Sequence, residues 1–159
     1  MAESTYLNRL ITFNSIDVTK SVRGKRELAK WLNQVLNNEG VQLGFISISF
    51  CSDKHLLGIN KSALQHDYYT DIITFQLNEK NEAIEGDLYI SIDRVKDNAK
   101  ALGIKWGDEL KRVIVHGVLH LCGYKDKTKK DIELMRKKEN EYLSLLQRDK
   151  HVSRGTKQK

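Results

Sequence analysis

Two histidines and an aspartate, His116, His120 and Asp126, have the residue types and the spacing for metal chemistry. On a helix, residues i and i+4 share a face one turn apart, so the two imidazoles stand about 40° from each other around the axis. Leu110, Ile114, Val118 and Leu121 form the apolar stripe beside them. Gly123 then supplies a helix stop, and Asp126 falls on the returning chain, giving the pattern H-x3-H-x2-G-x2-D. Two imidazoles one turn apart can share a metal ion, and a glycine turn lets the chain bring back a third ligand. A helical histidine pair alone serves equally well as a partner at a core edge; Gly123 and Asp126 favour the metal. Two imidazoles and a carboxylate suit zinc first, with nickel and iron as alternatives. The metalloprotease pattern H-E-x-x-H places its water-activating glutamate directly after the first histidine. Here that position is Gly117, so peptide hydrolysis by that route lacks its base.

The elements that must position these residues can be read from periodicity. Leu28, Trp31, Leu32, Val35 and Leu36 predict a helix from Ser21 to Asn38, stopped by Gly40. Residues 41–51 alternate as a strand, and Asp53 is the expected N-cap of a short helix carrying Leu56, Leu57, Ile59 and Leu64. Asp71–Leu77 and Asp87–Ile92 read as strands joined by a polar turn, hence a hairpin. Helices follow over Asp93–Leu102, Gly107–Cys122 and Thr128 to about Asp149. The order predicts an α+β fold with one small mixed β-sheet packed with several helices, the metal site lying at a helix–turn. Residues 1–151 are expected to form a single domain, and the basic residues 152–159 a disordered tail. Trp31, Trp106 and Tyr142 are expected in the core.

Composition limits the class. The chain has 159 residues and a formal net charge of +6. Residues 1–124 carry 15 Lys+Arg against 15 Asp+Glu, while residues 125–159 carry 12 against 6, so the excess is segregated. A segregated basic segment attracts polyanions, and Arg136, Lys137 and Lys138 are its candidate RNA-phosphate contacts, a solvated helix face being the alternative. With two cysteines, no window of 18 apolar residues and no apolar leader, the chain reads as a cytoplasmic protein without a membrane partner.

The segment His116-Gly117-Val118-Leu119-His120-Leu121-Cys122-Gly123-Tyr124 resembles the H-G-x-L-H-L-x-G-Y-D-H signature of the YbeY endoribonucleases. A second block, N-x-x-Y-R-x-x-D-x-P-T-D-V-L-S-F in that family, is matched between Asn60 and Phe75, with Asp67, Thr70 and Asp71 retained. Gly86-Asp87-Leu88-Tyr89-Ile90-Ser91 is similar to its G-D-I-x-I-S strand, and Met135 and Glu139 to its M-x3-E. The resemblance implies a metal-dependent endoribonuclease acting on single-stranded RNA in rRNA maturation (16S rRNA 3′ end processing) and ribosome quality control. It implies His116, His120 and Asp126 as metal ligands, His116 and Asp71 as catalytic residues, and the small ribosomal subunit as partner. The chain departs from the family pattern at Asp126, which replaces a third histidine, and at Leu64, Ala63 and Tyr69, which replace arginine, tyrosine and proline. Lys61 or His66 is then the expected substitute for the missing cation. Leu64 also keeps open a non-catalytic ribosome-assembly factor with a structural metal.

Overall fold

The computed structural model describes residues 10–19 and 22–157, with side chains through Arg148. The elements run β1 (Ile11–Ser15), α1 (Lys25–Asn38), β2 (Leu43–Cys51), α2 (Asp53–Leu64), β3 (Ile72–Gln76), β4 (Ile84–Ser91), α3 (Ile92–Leu102), α4 (Trp106–Leu121) and α5 (Lys129–Lys157). They form an α+β fold around one four-stranded sheet of order β1-β2-β4-β3. β1, β2 and β4 run parallel, while β3 pairs antiparallel with β4 as the expected hairpin. The sheet is therefore mixed.

Alternation in β2 and β4 places Ile46, Ile48, Phe50, Leu88 and Ile90 in one apolar cluster with Trp31, Leu32, Val35 and Leu36 of α1 and Ile114, Val115 and Val118 of α4. Trp31 and Tyr142 are core residues, as their spacing predicts, and the Trp31 indole N–H donates to the Tyr142 carbonyl at 2.8 Å. Cys51, Leu56 and Ile73 make a second, smaller cluster.

Three local expectations need correction, and one strand was not expected at all. β1 is a strand that the short, half-polar run Ile11-Thr12-Phe13-Asn14-Ser15 does not announce; it exists because Ile11 to Ser15 pair with Ile46 to Phe50. α1 starts at Lys25, after a left-handed Gly24, and Ser21 lies outside the described residues. The cap of α2 is Ser52, whose hydroxyl accepts from the His55 N–H at 3.1 Å; the Asp53 carboxylate pairs instead with Arg94 at 2.7 Å. α5 continues past Asp149 to Lys157, so residues 152–157 are helical where a disordered tail was expected, and residues 158–159 lie outside the described residues. No helix among the described residues is long and apolar enough to cross a membrane.

Gly117, between the two histidines, is where α4 presses onto the sheet. A Cβ there would lie 2.6 Å from Ile72 Cδ1 and 2.7 Å from Leu88 Cδ2. A glutamate at this position would enter the core, so packing as well as sequence excludes the H-E-x-x-H arrangement. Gly117→Ala is expected to cost about 1–3 kcal/mol by overpacking. Gly58→Ala, in α2 with nothing within 4 Å of the added carbon, should instead stabilise by about 0.5–1 kcal/mol through helix propensity. Thermal midpoints of the two variants, moving in opposite directions, check the helix–sheet contact.

Candidate metal centre

The last turn of α4 builds the site. The helix closes in a Schellman motif: the Gly123 N–H donates to the His120 carbonyl at 3.0 Å and the Tyr124 N–H to the Leu119 carbonyl at 3.1 Å. This closure needs a residue of positive φ, and Gly123 has φ 102°. The turn aims the Tyr124 carbonyl back at the helix, where His120 Nδ1 donates to it at 2.8 Å. On the other histidine, His116 Nδ1 donates to Glu139 Oε2 of α5, also at 2.8 Å. With both Nδ1 atoms engaged as donors, each Nε2 carries its lone pair inward.

These lone pairs converge. His116 Nε2 and His120 Nε2 are 3.0 Å apart, and Asp126 Oδ2 stands 3.2 Å from His120 Nε2 and 3.4 Å from His116 Nε2. Lone pairs so close repel unless a cation, a proton or a metal ion, lies among them. Ligand atoms at two corners of a tetrahedron with bonds of about 2.0–2.1 Å are about 3.3 Å apart, so the three atoms have the separations of a tetrahedral face. The donor set and its spacing fit a metal ion. His116, His120 and Asp126 form the group suited to one among the described residues.

Glu139 is buried and holds the arrangement from behind. Its second carboxylate oxygen accepts from Arg112 at 3.0 Å and faces Arg136 at 3.5 Å. Burial pushes the Glu139 carboxyl up, but hydrogen bonds from His116 and Arg112 hold it below the usual range. Burial pulls His116 down, yet the hydrogen bond and charge of Glu139, with Asp126 and Asp71, carry it above the ordinary histidine value.

An open cleft of about 320 Å³ adjoins these groups, lined by Asp71, Glu109, Arg112, His116, Asp126 and Arg136 among others. Asp71, just before β3, is tied by its backbone to Ser91 and by its carboxylate to Asn98 at 3.4 Å; burial pushes its carboxyl up. Of the three basic residues singled out on α5, only Arg136 lines this cleft. Lys137 borders a neighbouring open groove that Arg136 and Arg148 also line, and Lys138 is turned to Glu39 at 3.4 Å. Leu64 is 40% exposed and does not line the cleft. Lys61 pairs with Asp67 at 3.2 Å and His66 stacks on Tyr68, so neither stands in the cleft in place of the family arginine. The cations that do line it are Arg112 and Arg136.

The family model described as endoribonuclease YbeY matches residues 12–147. A Cytophaga hutchinsonii protein named endoribonuclease YbeY is 50% identical over 135 residues, 85% of this chain and 94% of that protein. Another of that name, from Porphyromonas gingivalis, is 50% identical over 123 residues, 77% of this chain and 81% of its own length. This chain belongs to the endoribonuclease YbeY family. The fold is also that of the solution structure of TM1509 from Thermotoga maritima, with a TM-score of 0.62 at 23% identity, covering 90% of this chain and 93% of that one.

The YbeY match begins at residue 12, inside β1, well ahead of the Asn60–Glu139 stretch that the motifs span. Three contributors to the site had no assigned role in the sequence. Glu139 stood out only as part of the YbeY M-x3-E, without a partner. Arg112 lies four residues before His116, hence on the same helical face, which was an available signal. Tyr124 acts through its backbone carbonyl, which no side-chain pattern encodes.

Proposed function

We propose that this protein is a metal-dependent endoribonuclease that cuts single-stranded RNA during rRNA maturation, with His116, His120 and Asp126 as the protein ligands of its metal. The observation that carries this is the convergence of two Nε2 atoms and one carboxylate oxygen at separations of 3.0–3.4 Å, in a chain of the endoribonuclease YbeY family. Zinc is the metal best matched to this donor set, and nickel or iron fits the same ligands. When bound, such an ion supplies Lewis acidity toward a phosphoryl oxygen and acidifies a water.

The chain's own residues do the rest. Glu139 and the Tyr124 carbonyl hold the two imidazoles in the ligating tautomer. Asp71, whose carboxyl burial pushes upward, can hold or release a proton in the cleft beside His116. Arg136, exposed at the cleft, offers a guanidinium to an RNA phosphate, and Arg112 adds positive charge deeper in. The small ribosomal subunit is the proposed source of the RNA, and the cytoplasm the proposed compartment, in keeping with two free cysteines. The departure at Leu64 favours one competing reading, an assembly factor whose metal only staples the fold.

Cleavage of end-labelled single-stranded RNA, with an RNA duplex as control, separates the two. The proposal expects cleavage of the single strand, and none by the intact protein would leave the assembly-factor reading. RNA affinity should also fall with salt, and Arg136→Ala should reduce the salt slope by about one. Lys138→Ala, whose amine is committed to Glu39, should leave that slope unchanged; equal effects of the two variants would remove the cleft from RNA binding.

A further inference from the structure

We propose that Glu39 is a positioning residue of the metal centre, holding the ligand loop in place through the Tyr124 hydroxyl; this rests on the metal reading of His116, His120 and Asp126. Glu39 caps the C-terminus of α1, 85 residues before Tyr124 in sequence, and its side chain is 10% exposed. One carboxylate oxygen accepts from the Tyr124 hydroxyl at 2.5 Å. The other accepts from the Tyr142 hydroxyl and from Lys138 Nζ, the latter at 3.4 Å. The Lys138 amine also lies 5.9 Å from the centre of the Tyr124 ring.

Tyr124 is thereby fixed at three points. Its N–H closes the Schellman motif on Leu119, its carbonyl orients His120, and its hydroxyl is tied to Glu39. Asp126 follows two residues later, half-exposed, and its carboxylate stands 3.2 and 3.4 Å from the two histidine Nε2 atoms. The loop thus carries two functions of the centre, the carbonyl that sets one imidazole and the third ligand, and Tyr124 is its anchor. A phenyl ring held by packing alone could slide, whereas a charge-assisted hydrogen bond to a carboxylate is directional. Burial pushes the Glu39 carboxyl up, but Tyr124, Tyr142 and Lys138 hold it below the usual range, so the acceptor stays ionised.

The test measures metal binding without RNA. Affinity for Co²⁺ is read by chelator competition and ligand geometry by the visible absorption of the Co²⁺ protein, with thermal midpoints recorded alongside. Tyr124→Phe and Glu39→Gln should each weaken Co²⁺ binding by about tenfold or more and shift the absorption bands, in line with other groups that orient metal ligands. The double variant should be little worse than either single one, because both remove the same link. Tyr142→Phe removes a donor from Glu39 without touching the loop; it should lower the midpoint while leaving Co²⁺ affinity within about twofold. Unchanged affinity and bands in Tyr124→Phe and Glu39→Gln, whatever their midpoints, would reduce Glu39 to a stabilising contact and overturn the proposal. Absence of Co²⁺ binding by the unaltered protein would overturn the metal reading itself, a distinguishable failure.

Discussion

Replacing His120 with alanine is expected to empty the metal centre and abolish RNA cleavage, and Asp126→Ala should do nearly as much. Either change leaves two protein ligands where a catalytic site of this kind uses three. Asp126→His should retain metal, since an imidazole reaches the same position and restores the family residue. A carboxylate ligand also lowers the charge of a divalent site from +2 to +1, so Asp126→His should make the bound ion the stronger Lewis acid. The alternative role for Asp126, capping the last helix, is filled by other residues. The Thr128 hydroxyl accepts from the Asp131 N–H at 3.1 Å, and the Asp131 carboxylate accepts from the Thr128 N–H at 3.3 Å, a reciprocal cap that does not involve Asp126. Metal content of the purified variants decides, and full occupancy in Asp126→Ala would refute the ligand assignment.

The second large effect is expected at Glu139, which is not itself one of the three ligands yet holds His116 and Arg112 together. Glu139→Ala leaves the Arg112 guanidinium without its carboxylate in a half-buried site and frees the His116 ring, at about 3–5 kcal/mol of stability. Metal affinity should fall about 10- to 100-fold, because His116 loses the acceptor that fixes its tautomer. The pH dependence has a definite sign. The folded carboxyl is held below its ordinary value of 4.5, so its contribution is fully present above that value and lost as pH falls through the lower, folded one. Denaturant unfolding of Glu139→Ala between neutral and acid pH should therefore show a smaller loss of stability below about pH 4.5 than the unaltered protein. A parallel pH profile would mean that Glu139 is not the ionised partner of His116.

The parts of this site that lie within one helix and its following turn were legible in the sequence. His116, His120 and Asp126 need only helical periodicity and the Gly123 turn to be brought together, and the structure puts their ligand atoms 3.0–3.4 Å apart. The hairpin and the core stripes followed from alternation and helical spacing. What periodicity cannot supply is the crossing of distant elements. Glu139 reaches His116 because α5 packs back across α4, and Glu39 reaches Tyr124 from the end of α1; neither contact has a local signature. The basic run Arg136-Lys137-Lys138 looks uniform as a sequence, but about 100° of helical rotation per residue leaves only Arg136 of the three in the cleft beside His116 and turns Lys138 to Glu39. β1 was missed for a related reason: five half-polar residues become a strand only when a parallel neighbour, 35 residues away for Ile11, supplies the hydrogen bonds. The polar residues after Asp149 offer no apolar stripe, so the extension of α5 left no trace in the pattern either.

A metal held by His116, His120 and Asp126 is expected to drive cleavage of single-stranded RNA. This is tested most directly by stripping the protein with a chelator, reloading it with one equivalent of Zn²⁺, and measuring metal content and RNA cleavage on the same samples. Cleavage should disappear with the metal, return in proportion to reloading, and fail to return when His120 is alanine. Cleavage at full rate in fully stripped protein, or stoichiometric Zn²⁺ binding with all three residues replaced, would contradict it.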